Sequence, residues 1–146
     1  MDKEIITKEF KKTKYIFISL LIGQIIFFCV SLFIVDNKFI DANIRFDGIF
    51  KFFIPLVGVV AMFLANKIYN LRIKSVQPGE KLEVKLNKYR SFKLMQWVIV
   101  EAAGFLSLFV FIITRDYLYS IVFLFLIGYF YLLRPSRNQL KSDMKI

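Results

Sequence analysis

Histidine is absent from this chain of 146 residues, and cysteine occurs only once, at Cys29. Without imidazole the usual zinc and haem sites cannot be built, and a single thiol forms no disulfide within the chain. No Ser-His or Cys-His pairing and no glycine-rich phosphate loop occurs. These gaps exclude most cofactor chemistry and nucleophilic catalysis, so we expect no cofactor, no metal and no enzymatic activity. A site made of carboxylates alone stays open.

What the chain has in abundance is apolar residues, 58% of the total, gathered in four long runs. A helix needs about 20 apolar residues to cross a hydrocarbon core of ~30 Å. Residues 15–35 meet that length without a charge. Residues 52–69 carry Lys67 near their end, where its side chain can snorkel; 92–114 and the shorter 117–133 complete the set. The expected fold class is all-α: a polytopic membrane protein, one membrane domain over 1–146, built as an antiparallel bundle of four transmembrane helices. The first run exceeds the core of a secretory signal, and no A-x-A-like site follows it, so we read it as a retained helix.

The net charge of +10 is unevenly placed. Most basic residues fall in the amino-terminal tail, in the connection 70–91 with Lys67 before it, and after residue 133. The other two connections balance Lys38, Arg45, Lys51 and Arg115 against Asp36, Asp41, Asp47 and Asp116. Positive residues stay on the cytoplasmic side, which places both termini and the 70–91 loop there. Topology thus accounts for the basic excess, and no nucleic-acid partner is expected. Arg72, Lys74, Lys81, Lys85, Lys88 and Arg90 form a basic inner surface for anionic lipid headgroups or a partner protein.

Residues 1–14 read either as a solvated tail or as a short interfacial helix using Ile5, Ile6 and Phe10. The first outer connection has an Asp47-Gly48 turn signal, and its Phe39, Ile40, Ile44 and Phe46 suggest a segment resting on the membrane surface. The second helix should begin near Pro55, with Gly58, Ala61 and Ala65 as a small-residue stripe for close packing. After the Gln77-Pro78-Gly79-Glu80 break, residues 82–93 fit a strand-like stretch or an amphipathic lead into the third helix. Ser31-Leu32-Phe33 and Ser107-Leu108-Phe109 repeat, too little to establish an internal duplication.

Glu101 is the residue that asks for a function, because an acid deep in an apolar helix normally faces other helices or a polar cavity. Gln24 in the first helix lies at matching depth, each about 13 Å from the inner boundary. If the two helices are neighbours, the Gln24 amide donates to the Glu101 carboxyl, with Gly23 and Gly104 allowing close approach. Trp97, one turn below Glu101, reads either as a cover for the carboxyl or as an aromatic that fills the bundle. Burial disfavours the charged form, so Glu101 is expected to be protonated at neutral pH. It then acts as a structural clamp, as a proton carrier, or as a contact to a partner. Tyr117, Tyr119, Tyr129 and Tyr131 resemble an aromatic belt.

At Trp97, Glu101 and Arg134-Pro135-Ser136 the chain resembles small four-helix integral membrane proteins of Bacteroidota, with a Trp-x-x-x-Glu stretch in the third helix and Arg-Pro-Ser/Thr after the last. The resemblance implies the four-span topology and a bacterial inner (plasma) membrane, and brings no activity with it. The stretch VEAAGFLSL is also similar to the carboxylate helix of rotary ATPase proteolipid subunits, which implies proton carriage by Glu101. Those proteins pack a glycine-rich helix against the acid, whereas the first helix here has only Gly23.

The function expected from the sequence is a small, non-enzymatic membrane subunit or scaffold that assembles with itself or with a larger membrane complex. The alternative is a proton-coupled transporter or channel component using Glu101. Lipid binding through the inner loop is a third class.

Overall fold

A computed structural model describes residues 1–39 and 48–146; Ile40, Ile44, Phe46 and Asp47 of the expected surface-resting segment lie outside the described residues. The described chain is all helical and contains no strand. It comprises α1 (Asp2–Asp36), α2 (Ile49–Ile73), α3 (Leu82–Thr114), α4 (Tyr117–Leu132) and α5 (Arg137–Asp143). Asp2 and Glu4 in the first turn of α1 complement the positive end of its dipole. Gly48, with φ +60°, turns the chain into α2. That early start puts Pro55 inside the helix rather than at its first turn, leaving the Lys51 carbonyl without its helical donor.

A two-residue turn joins α3 to α4. Arg115 takes the left-handed conformation (φ +56°) and its N–H donates to the Phe111 carbonyl at 2.8 Å. Asp116 then caps α4 by accepting from the Leu118 N–H at 3.0 Å. At the far end, proline at 135 stops α4, and α5 leaves at 70° to it.

Three apolar clusters lie along the bundle. One joins Val35, Ile54, Leu108, Phe111 and Tyr119, so the end of α1, start of α2, end of α3 and start of α4 meet there. A middle cluster centres on Phe17, Ala61, Ala65, Trp97, Val100 and Phe130. The third gathers Tyr69, Val76, Leu86, Tyr89, Leu140 and Met144, with Ile5, Ile6 and Phe10 packed against it. Helix α3 contributes to all three and forms the axis of the molecule.

At 1.5 Å per residue α1 and α3 are each about 50 Å long, well beyond the ~30 Å of a hydrocarbon core. Their surplus lengths lie at the end that carries both termini and build the third cluster. Two expectations are corrected here. The first 14 residues are no solvated tail, because Ile5, Ile6, Phe10, Thr13 and Phe17 recur on one helical face that packs inward. Nor is 70–91 a loop: only 74–81 connects α2 to α3, and Leu82, Leu86, Tyr89 and Phe92 form the inner face of a continuous helix.

Outside these clusters the long helices expose large apolar side chains along their length, among them Ile26, Phe33, Phe63 and Phe125. Continuous apolar surface of this kind marks contact with lipid or another protein. By length and composition α1, α2 and α3 can cross a membrane, and α4 with α5 forms a bent fourth candidate.

Candidate functional site

Helices α1 and α3 run side by side in the same direction. Phe17 lies 5.2 Å from the Trp97 ring and Phe27 5.1 Å from the Phe105 ring. These two ring pairs set the register, and they place Gln24 within about a turn of Glu101 along the axis. Glu101 sits between Trp97 and Phe105 on α3, at the edge of the buried stripe, and is half-buried. Gln24 is 2% exposed, yet its amide nitrogen has no hydrogen-bond partner. Among the described residues no hydrogen bond or ion pair reaches Glu101 either. The expected Gln24-to-Glu101 bond is therefore not formed, although both residues share the seam between the helices.

The small residues also distribute differently from expectation. Gly23 is exposed, with open space where a side chain would be, so it serves no close approach. A methyl group at Gly104 would lie 3.3 Å from the Phe123 ring, which makes Gly104 the seat of an α4 aromatic rather than of α1. Gly58, Ala61 and Ala65 are buried; Gly58 faces Leu126 and Val122 of α4, while the two alanines join the cluster around Trp97. Trp97 fills the bundle: it is fully buried in the middle cluster, and its indole N–H donates to the Leu133 carbonyl at 3.1 Å.

A second polar group lies one to two turns before Glu101, and sequence reasoning missed it. Lys93, the second residue of the expected third span, is 1% exposed. Its ammonium lies 4.6 Å over the Tyr69 ring and donates to Gln96 Oε1 at 3.3 Å and, at 3.5 Å, to the Leu133 carbonyl. Gln96 in turn donates to Asn66 Oδ1 at 3.0 Å, and the Tyr69 hydroxyl donates to Asp143 of α5 at 2.7 Å. One network thus ties α2, α3, the end of α4 and α5 together. The signal available in the sequence was the spacing of Lys93, Gln96 and Trp97 on the same stripe as Tyr89 and Val100.

The basic surface divides in two. Lys85 is buried and donates to the Pro78 carbonyl at 2.9 Å, Lys88 pairs with Glu80 at 2.6 Å, and Arg90 pairs with Glu9 at 2.8 Å. These three hold the terminal end together, while Arg72, Lys74 and Lys81 remain exposed. Lys88 holds the Glu80 carboxyl below its ordinary range, with the Gln77 N–H adding to the effect. Lys12 does the same for Glu9, assisted by Arg90. Among the described residues no three Cys, Asp or Glu side chains gather as a metal site needs.

Fold and site together define a helical protein with three helices long and apolar enough to cross a membrane, or four with the bent α4–α5 pair. Comparison with family models, with curated proteins and with solved structures finds no match to this chain.

Proposed function

We propose that this is an integral membrane protein of four antiparallel transmembrane helices, with both termini and the basic helical cap in the cytoplasm. In this reading it is a non-enzymatic subunit that joins further copies of itself or a larger membrane complex through the α1–α3 seam. The orientation rests on the clustering of basic residues at the end that carries both termini. The function rests on one observation: Glu101 is half-buried on the seam that also holds Gln24, whose amide nitrogen is unpartnered, and among the described residues no hydrogen bond reaches Glu101. An unsatisfied polar group in an apolar setting costs about 1–3 kcal/mol, so a polar group from a neighbouring subunit has a stabilisation to supply. A carboxyl at the rim of the seam is accessible to such a group, unlike one sealed in the core.

The test is native-membrane purification with the assembled mass read by mass spectrometry. Glu101→Ala should weaken the assembly and Glu101→Gln should preserve it, because the amide still offers and accepts hydrogen bonds. Equal damage from both would overturn the neutral-contact reading. The half-exposure of Glu101 also favours the second reading, a proton-coupled transporter or channel component. There Glu101→Gln assembles normally and loses proton-dependent activity.

A further inference from the structure

We infer that the cleft between α1 and α4 at the basic end is a binding site for one anionic glycerophospholipid. The two helices touch only sparingly and leave a groove of about 400 Å³. Helix α1 lines it with Lys14, Phe17, Ile18 and Leu21, which share one helical face; Tyr131, Arg134 and Pro135 close the other side. Two cations, Lys14 and Arg134, line the groove, and among the described residues no acidic side chain does. Arg134 is held there by its own helix: it donates to the Tyr131 hydroxyl at 3.2 Å and its guanidinium lies 5.4 Å from that ring. Lys14 is exposed and forms no ion pair among the described residues.

The chemistry of the two ends selects the occupant. Two cations, one on α1 and one just past the end of α4, suit a phosphodiester, which accepts from both at once. Beneath them Phe17, stacked on Phe130 at 5.1 Å, Ile18 and Leu21 offer an apolar wall. That wall extends about 10 Å from Lys14 to Leu21 towards the middle of the bundle, the direction an acyl chain takes from its headgroup. A soluble anion has no use for the wall, and a zwitterionic lipid brings its own cation to the mouth. The site differs from the exposed basic residues of 72–81 in being a cleft with a defined depth.

This inference rests on the membrane reading, and the experiment separates the two. The full chain is purified in mild detergent and titrated by native mass spectrometry with phosphatidylglycerol, phosphatidylcholine and inorganic phosphate. Phosphatidylglycerol should bind in preference to the other two. Lys14→Gln and Arg134→Gln should each weaken it about fivefold, the scale of one cation near an anionic headgroup. Ile18→Trp, which keeps both cations and fills the groove, should abolish the preference while helicity is retained. Lys67→Gln with Lys141→Gln removes two cations elsewhere and should leave it unchanged. Unaltered binding in Ile18→Trp and in the Lys14 and Arg134 variants overturns the site, as does equal binding of phosphate or equal loss in the Lys67 and Lys141 pair. A wild-type chain washed from membranes by alkaline carbonate overturns the membrane reading instead.

Discussion

Trp97 answers to two sets of neighbours at once. Its ring packs on Phe17, and its N–H holds the carbonyl of Leu133 at the end of α4. Trp97→Phe keeps most of the packing and loses the bond, and should cost about 1–2 kcal/mol. Trp97→Ala opens a cavity in a fully closed site and should cost about 3–5 kcal/mol. Thermal unfolding in detergent ranks the two, and equal losses would mean that the hydrogen bond carries the whole effect. Beside it Lys93 illustrates how charge misleads at this scale. A lysine at a helix boundary reads as solvated, yet this one is closed over by Tyr69, Gln96 and the end of α4. Only residues distant in sequence create that enclosure. Glu101 is the opposite case: its position in an apolar helix was readable from the sequence, whereas its lack of a hydrogen-bond partner among the described residues was not.

At the scale of elements, the apolar runs were legible because 20 residues without a breaker have few alternatives to a helix. The expected 92–114 ends with α3 at Thr114 but α3 begins ten residues earlier, at Leu82, and 117–133 lies within a residue of the limits of α4. The polar extensions of α1 and α3 were harder to read, since lysine-rich helices are stable only where their sparse apolar face finds a partner. That partner is the terminal cluster, to which Tyr69 of α2, Val76 and α5, a short helix hidden in what looked like a basic tail, also contribute. Leu140 and Met144 are 0% exposed, one turn apart, and close the terminal cluster. Leu140→Ala should therefore destabilise the cap by about 3 kcal/mol. Limited proteolysis should then cut within 74–81 and the first turns of α1 while the remainder of the bundle resists. Uniform digestion of the whole chain would show that cap and bundle unfold as one unit.

Across the molecule, the apolar bundle and the polar cap respond to different variables. Glu9 and Glu80 join separate parts of the cap through Arg90 and Lys88, and both carboxyls titrate below their ordinary value of 4.5. A depressed folded value means that their stabilisation is present above the ordinary carboxylate range and lost as pH falls through the folded value. Cap unfolding, followed by protease sensitivity of 74–81, should become easier below about pH 4.5, and less so when Glu9→Gln and Glu80→Gln remove the titrating groups. A cap equally acid-sensitive in that double variant would place the titration elsewhere.

The sequence by itself determined that the chain is helical, which stretches are apolar enough to span a bilayer, and that its positive charge is concentrated at one end. Those properties follow from local composition and period, and need no knowledge of neighbours. Tertiary structure decided what the polar residues do. It buried Lys93 and Lys85, paired Arg90 with Glu9 and left Glu101 and Gln24 unjoined in one seam. It also turned both tails into a packed cap and opened a cleft between Lys14 and Arg134. A polar group's role depends on which partners lie within about 3 Å, and only packing between distant segments settles that distance.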